Sequence, residues 1–270
     1  MRNHYILYHT SRRTKKHRIN LHYYSEGEAE NLGDYLSVIV YNYMLSDRNI
    51  DFDYLSSQTK HIYCIGSIIA AGWQNATIWG SGLMNENFHG LRKLRLCKII
   101  RNLDIRAVRG PITREILINK GFACPEIYGD PAVLMPLIYT PKQNDSKKED
   151  FTVILHHSSF LNYENNLSIK TTDYEHFIDT IANSNKVISS SLHGVILAET
   201  YGVSAILLDD VATQKSLVKF NDWYYSTNRR QYPIAKSIEE AITMKPVALP
   251  DNLDELRKGL LEAFPYDIYE

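Results

Sequence analysis

Short apolar runs rich in β-branched and aromatic residues alternate along this chain with segments of helical periodicity, and that alternation limits the fold more than any other feature. The runs fall at residues 5–9, 62–65, 77–79, 105–108, 153–155, 187–188 and 205–208. Between them, residues 31–45 and 111–120 read as helices, the second opening with Pro111 at its first position and stopping at Gly121. Strand followed by helix, repeated, predicts an α/β fold built on parallel sheets. The polar, turn-forming stretch 142–150 lacks apolar periodicity and separates two such sets. The predicted organisation is an N-terminal α/β domain over 1–141, a linker over 142–150, a C-terminal α/β domain over 151–240 and a helical segment over 241–270. Within the last, Leu253, Leu256, Leu260, Leu261 and Phe264 share one helical face.

Composition narrows function by exclusion. Hydrophobic residues at 44% and charged residues at 23% rule out a disordered or fibrous chain, and 270 residues suffice for two modest cores. A net charge of −1 gives no global attraction to nucleic acid, so anion recognition must be local. Positive charge gathers at Arg12, Arg13, Lys15, Lys16 and Arg18, and again at Arg92, Lys93, Arg95, Lys98 and Arg101. A solvated face over core is the favoured reading of both, with peripheral contact at the inner face of a membrane as the minority reading. Cys64, Cys97 and Cys124 form no Cys-x-x-Cys pair, which fits a reducing compartment. The N-terminal apolar stretch is too short for a signal peptide, and no run approaches the ~18 apolar residues of a membrane span, so a cytoplasmic location is expected.

Ligands of open α/β sheets lie beyond the carboxyl ends of the strands. Four turns occupy such places: Gly66-Ser67, Gly80-Ser81-Gly82, Arg109-Gly110-Pro111 and Ser189 to Gly194. The glycines let backbone N–H groups approach an anion, yet neither dinucleotide nor P-loop spacing is present. Arg109, at a strand end one residue before a helix entry, is placed to fork onto a carboxylate or phosphate; a salt bridge is the equal alternative. Arg114 is a weaker candidate for the same work. His193 follows Ser189-Ser190-Ser191-Leu192 and opens an apolar helix, where the positive end of the dipole attracts anions and favours a neutral imidazole. His156 and His157 also follow a strand, but neighbours on an extended chain point to opposite faces, which argues against a metal pair. No His-Glu-x-x-His is present and Asp51-Phe52-Asp53 is too short a pattern to assign, so no metal is expected.

The order of these pieces resembles the polysaccharide pyruvyl transferase family. Asn31-Leu32-Gly33-Asp34, Gly66-Ser67, Ile78 to Gly82, Val108 to Thr113, Gly129-Asp130-Pro131-Ala132, Ser189 to Gly194 and Lys219 to Tyr224 carry the resemblance, across roughly residues 31–226. It implies a GT-B-like fold, two Rossmann-like α/β domains facing a central cleft, with a C-terminal helix crossing back to the N-terminal domain. It also implies transfer of pyruvate from phosphoenolpyruvate onto two hydroxyls of a sugar as a ketal, in capsule, exopolysaccharide or cell-wall glycan biosynthesis. Phosphoenolpyruvate would be the co-substrate with no further cofactor, and the acceptor a sugar or lipid-linked oligosaccharide; nucleic acid is not an expected partner, and an oligomer is compatible with the sequence. His193 would then transfer protons, His157 would be a second acid/base or a donor ligand, and Arg109 would clamp the donor. Asn31, Gly33, Asp34, Gly66, Ser67, Gly80, Ser81, Gly82, Arg114, Ser189, Ser190, Leu192 and Gly194 would line the donor site. Many members carry Arg immediately before the Leu-His pair, where this chain has Ser191. The competing readings are a GT-B glycosyltransferase using a nucleotide sugar and a catalytically inactive glycan-binding protein.

Overall fold

The computed structural model describes residues 6–8, 19–24, 30–52, 54–71, 74–84, 101–142, 148–214 and 216–270. The basic loop 11–18, all of the second basic cluster except Arg101, and Asp53 lie outside the described residues. Two sheets carry the fold, as the alternation predicts. The first runs in the order β1 (Ile6–Tyr8), β2 (Ile19–Tyr24), β3 (Lys60–Tyr63), β4 (Ala76–Trp79), β5 (Leu103–Ala107). Only the β1–β2 pair is antiparallel. The second, β6 (Thr152–Ile154), β7 (Lys186–Ser189), β8 (Ser204–Leu208) and β9 (Ile234–Ala235), is wholly parallel. Every residue of β4 and β6 is buried, as parallel strands covered on both faces require.

Local chemistry sets the helix entries. Helix α1 (Leu32–Ser46) starts where the Asn31 side chain accepts the Gly33 N–H at 3.0 Å, and Asp34 places a negative charge at the positive end of the dipole. Helix α2 (Pro111–Asn119) has Pro at its first position. Helix α3 (Tyr174–Ala182) is capped by Asp173. Helix α4 (Leu192–Thr200) is buried at all nine positions, and a helix without a solvent face belongs at the centre of a protein. It packs on β7 and β8 of its own sheet, and on α1 and the 3-10 segment Pro131–Leu137 of the other half. Helix α5 (Leu217–Ser226) packs on α2 and α4. The last two helices are α6 (Ile238–Thr243) and α7 (Leu253–Glu262).

One apolar core runs through both halves, joining Leu32 and Trp79 to Leu192, Phe220 and Leu260. Smaller cores fill the outer faces, one around Ile78 and Leu117, the other around Ile188 and Ile206. The C-terminal segment completes the N-terminal half: Leu256 and Leu260 are buried, and the Trp79 indole donates to the Leu260 carbonyl at 2.8 Å. Tyr41 and Tyr269 share a hydrogen bond, and Arg106 forks onto Asp267 at 3.0 and 2.7 Å. Of the expected linker, Glu149 is already tied to the second half through backbone bonds with Asn183 and Asn185. Arg101 does not belong to a solvated face: it is buried, donates to the carbonyls of Ile69 and Gln74, and lies over the Tyr63 ring. Among the described residues no helix is long and apolar enough to cross a membrane.

Candidate functional site

The carboxyl end of β7 turns into α4 through Ser189, Ser190 and Ser191, and the first turn of α4 brings His193 to the seam between the two sheets. Its ring lies against Gly33, at the first turn of α1, so closely that a methyl group at that position would overlap the imidazole. Glycine is therefore what lets the two helix starts approach. On the other side, His193 Nε2 faces Asp130 Oδ2 at 3.6 Å. Among the described residues neither atom has another hydrogen-bond partner, and both residues are buried. The second Asp130 oxygen accepts the Ala132 N–H at 3.1 Å, which fixes the carboxylate at the start of the 3-10 segment. A hydroxyl entering between Nε2 and Oδ2 would find a proton donor and an acceptor together.

Asn31 joins the halves a second time. Its carbonyl oxygen takes the Gly33 N–H, which leaves the amide nitrogen to donate to His157 Nδ1 at 3.1 Å. That bond places the His157 proton on Nε2. His156 and His157 do not point to opposite faces as an extended strand would have them. They follow the end of β6, where the chain is no longer pleated, and their rings lie 4.2 Å apart, tilted by 35°. Burial first, then the nearby positive charge of Lys219, holds the His156 imidazole neutral, its pKa pushed down to about 2. Among the described residues no three His, Cys, Asp or Glu side chains gather as a metal group.

The serine hydroxyls expected at the donor site are all engaged within the protein. A strand-to-helix turn leaves backbone groups unpaired, and these hydroxyls satisfy them. Ser189 Oγ donates to Ile154 O at 2.8 Å and accepts the Ser191 N–H at 3.0 Å, while Ser190 Oγ accepts the His156 N–H at 2.9 Å. Ser81 Oγ donates to Gly66 O at 2.8 Å, and Ser67 Oγ accepts from Arg109 at 2.8 Å. Leu192 faces the core, and Gly194 packs against Ser189. Gly66 and Gly80 take positive φ, 108° and 83°, with Gly80 against Pro131 and Gly66 against the Asp34 carboxylate.

Arg109 is also committed within the protein. Its guanidinium stacks on Gly82, donates to Ser67 and to Leu83 O (2.6 Å), and lies 3.3 Å from the Asp222 carboxylate. Neither side chain of that pair is exposed. Asp222, on α5, also accepts the Thr113 N–H at 3.0 Å and its hydroxyl at 2.6 Å, so it clamps the start of α2. Burial pushes its carboxyl pKa up, against the opposing pull of Arg109 and Thr113. The anion expected from a substrate is thus supplied by the second half of the chain. Arg114 turns to the loop after α2, bonding Cys124 O at 3.1 Å and Glu126 at 3.1 Å, and is not among the groups around His193.

Three residues of the seam escaped sequence reasoning as site residues: Asp130, Asp222 and Lys219. Lys219 is buried in the first turn of α5, near Arg109, Asp34 and His156.

Fold and site together define a Rossmann-like α/β protein whose histidine-rich polar centre lies where its two sheets meet. Residues 30–210 match the polysaccharide pyruvyl transferase family, and the chain belongs to it. That membership makes it a pyruvyltransferase of polysaccharide biosynthesis. An uncharacterized protein of Acanthamoeba polyphaga mimivirus is 21% identical over 244 residues, covering 81% of this chain and 78% of its own length. The crystal structure of a functionally uncharacterized Klebsiella pneumoniae protein is similar at 13% identity and a TM-score of 0.49, with 86% of this chain and 94% of that one covered.

Proposed function

We propose that this protein transfers pyruvate from phosphoenolpyruvate to two hydroxyls of a sugar, forming a ketal, in a GT-B-like cleft between its two halves. The observation that carries the reading is the His193–Asp130 pair, in which Nε2 of the imidazole faces Oδ2 of the carboxylate and neither atom has another hydrogen-bond partner among the described residues, beside the helix start at Gly33. Ketal formation from an enol phosphate needs a proton delivered to the methylene carbon and a sugar hydroxyl added to the neighbouring carbon. The phosphate then leaves, and a second hydroxyl closes the ring. Each hydroxyl gives up one proton; one ends on the new methyl group and the other leaves with the phosphate. His193 carries the proton, and Asp130 orients the ring and stabilises its cation, the division of labour of a buried imidazole–carboxylate pair. His157, held with its Nδ1 as acceptor, is the second candidate for proton transfer.

The acceptor is a sugar or a lipid-linked oligosaccharide of a capsule, exopolysaccharide or cell-wall glycan, and the protein works in the cytoplasm. Incubating candidate glycans with phosphoenolpyruvate and the protein tests this: the product should gain the mass of pyruvate less one water, with release of phosphate that depends on the acceptor. A mass gain of one sugar from a nucleotide-sugar donor would instead identify a glycosyltransferase. Binding without turnover of either donor would identify a glycan-binding protein.

A further inference from the structure

The geometry points to the loop 158–162, which leaves the seam directly after the two adjacent histidines, as the place where a sugar unit of the acceptor lies, stacked on the Phe160 ring. This rests on the pyruvyl-transfer reading for the reaction, but not for the existence of a carbohydrate subsite. Three observations converge: a bare aromatic ring, a loop that holds it beside the seam, and a composition suited to a neutral polyhydroxyl ligand. Phe160 is 87% exposed, the most exposed large apolar side chain among the described residues, and its neighbour Leu161 is also exposed. Neither belongs to any of the three cores.

The loop begins from anchored residues. The His156 N–H is held by the Ser190 hydroxyl at 2.9 Å, and His157 by Asn31 at 3.1 Å. The His156 carbonyl then accepts the Ser159 N–H at 2.8 Å, and Ser159 Oγ accepts the Leu161 N–H at 3.0 Å, so a turn and a side-chain bond bracket Phe160. A turn of that kind keeps its ends within about 7 Å, and the next Cα lies about 3.8 Å further on. Phe160 therefore stays beside the two imidazoles. Further along, Leu167 N–H bonds Val153 O at 2.8 Å, and Ile169 O accepts the Leu32 N–H at 2.8 Å, which ties the segment to both halves of the protein. Charge then selects the ligand. From His156 to Ile169 there is no Lys or Arg, and Glu164 is the single acidic residue, whereas Ser158, Ser159, Asn162, Asn165 and Asn166 fill much of the segment. An anionic membrane surface or a phosphate calls for cations. A pyranose instead turns C–H groups to the negative face of an aromatic ring and its hydroxyls to neutral donors and acceptors. His156 is one such donor: the Ser158 N–H bonds its Nδ1 at 3.2 Å, which places the ring proton on Nε2.

The test compares wild type with Phe160→Ala and Phe160→Tyr. Because the side chain is exposed, neither change should move the melting temperature by more than about 2 °C. Binding is screened on an array of pyranose glycans, and the best-bound glycan is titrated in solution. Affinity for it should fall on the order of 10-fold in Phe160→Ala, as for loss of the apolar contact of one ring, and return in Phe160→Tyr. Thermal-shift protection by phosphoenolpyruvate should be equal in all three proteins. With turnover established, KM for the glycan should rise in Phe160→Ala while KM for phosphoenolpyruvate does not. A wild-type protein that binds no glycan on the array, or a Phe160→Ala protein that binds as wild type does, overturns the assignment. A parallel loss of phosphoenolpyruvate protection also overturns it. Vesicles of phosphatidylglycerol and phosphatidylcholine are the control: binding to them that depends on Phe160, in place of glycan binding, overturns the assignment in favour of a lipid surface. Glycan binding that depends on Phe160, without any pyruvyl transfer, upholds the subsite and removes the proposed reaction.

Discussion

The buried Arg109–Asp222 pair gives the sharpest quantitative test of how the two halves are joined. Asp222→Asn keeps the size of the side chain and its Oδ1, so the bond from the Thr113 N–H survives. The other carboxylate oxygen becomes an NH2 group, facing the Arg109 Nη2 that lies 3.3 Å away and the Thr113 hydroxyl at 2.6 Å. The new NH2 then opposes the Arg109 donor, the Thr113 hydroxyl must turn from donor to acceptor, and a fully buried guanidinium loses its counter-charge. Removing one partner of a buried pair costs about 3–5 kcal/mol. At about 2–4 °C per kcal/mol for a chain of this size, the melting temperature should fall by roughly 10 °C. Urea unfolding followed by tryptophan fluorescence measures the free energy directly. The double variant Arg109→Met with Asp222→Leu should recover a large part of the loss, because no charge remains buried. An Asp222→Asn protein within about 1 kcal/mol of wild type would refute the argument, since a loss that small is typical of a solvated pair. It would return Arg109 to consideration as a ligand clamp.

Other expectations concern the seam and the first sheet. Asp130→Asn should lower kcat by roughly 100- to 10,000-fold with an unchanged circular dichroism spectrum, as a proton-transfer pair demands; full activity would remove Asp130 from the mechanism. Gly33→Ala should also depress kcat, by pushing the His193 ring away from Asp130, and a crystal structure of the variant with an unmoved ring would contradict this. His22 is buried and held neutral by burial, then by the charges of His61 and Arg101, with a pKa near 2 against 6.5 in the unfolded chain. Below pH 6.5 the unfolded chain takes up a proton that the folded one refuses. Stability should fall by about 1.4 kcal/mol per pH unit from this residue as pH drops toward 2. Urea midpoints at pH 6.5 and 5.5 check it, and His22→Phe should flatten the slope.

Much of the scaffold was legible because it follows local rules. The run 31–45 reads as a helix, Pro111 as a helix start, and the spacing of Leu253, Leu256 and Leu260 as a helix with one apolar face. Strand β2 was not legible: its buried residues include Asn20 and His22, so no clean apolar run announces it. The 3-10 segment after Asp130 is absent from the predicted elements, since Gly129 and Pro131 break any regular period around it. The site divided along the same line. His193 stood out only through the order of motifs around it, and its partner Asp130 was one residue of those motifs, with nothing local to mark it as the carboxylate that faces the imidazole. For Arg109 the sequence leaves clamp and salt bridge level, because nothing near it reveals that Asp222, far along the chain, lies against it. Lys219, among aromatic residues, carries no local mark of burial; only the docking of α5 against α2 makes it a cation inside the protein.

The packing of the C-terminal segment onto the first sheet has a consequence for the order of synthesis. Trp79 emerges early from the ribosome, yet the carbonyl that takes its indole proton belongs to Leu260, and Tyr41 waits for Tyr269. The N-terminal half therefore leaves the exit tunnel with its core open along one side. Those contacts cannot close until the final turns arrive. A nonsense mutation near residue 250 would not trim an ornament from a finished protein; it would strand the half that was made first.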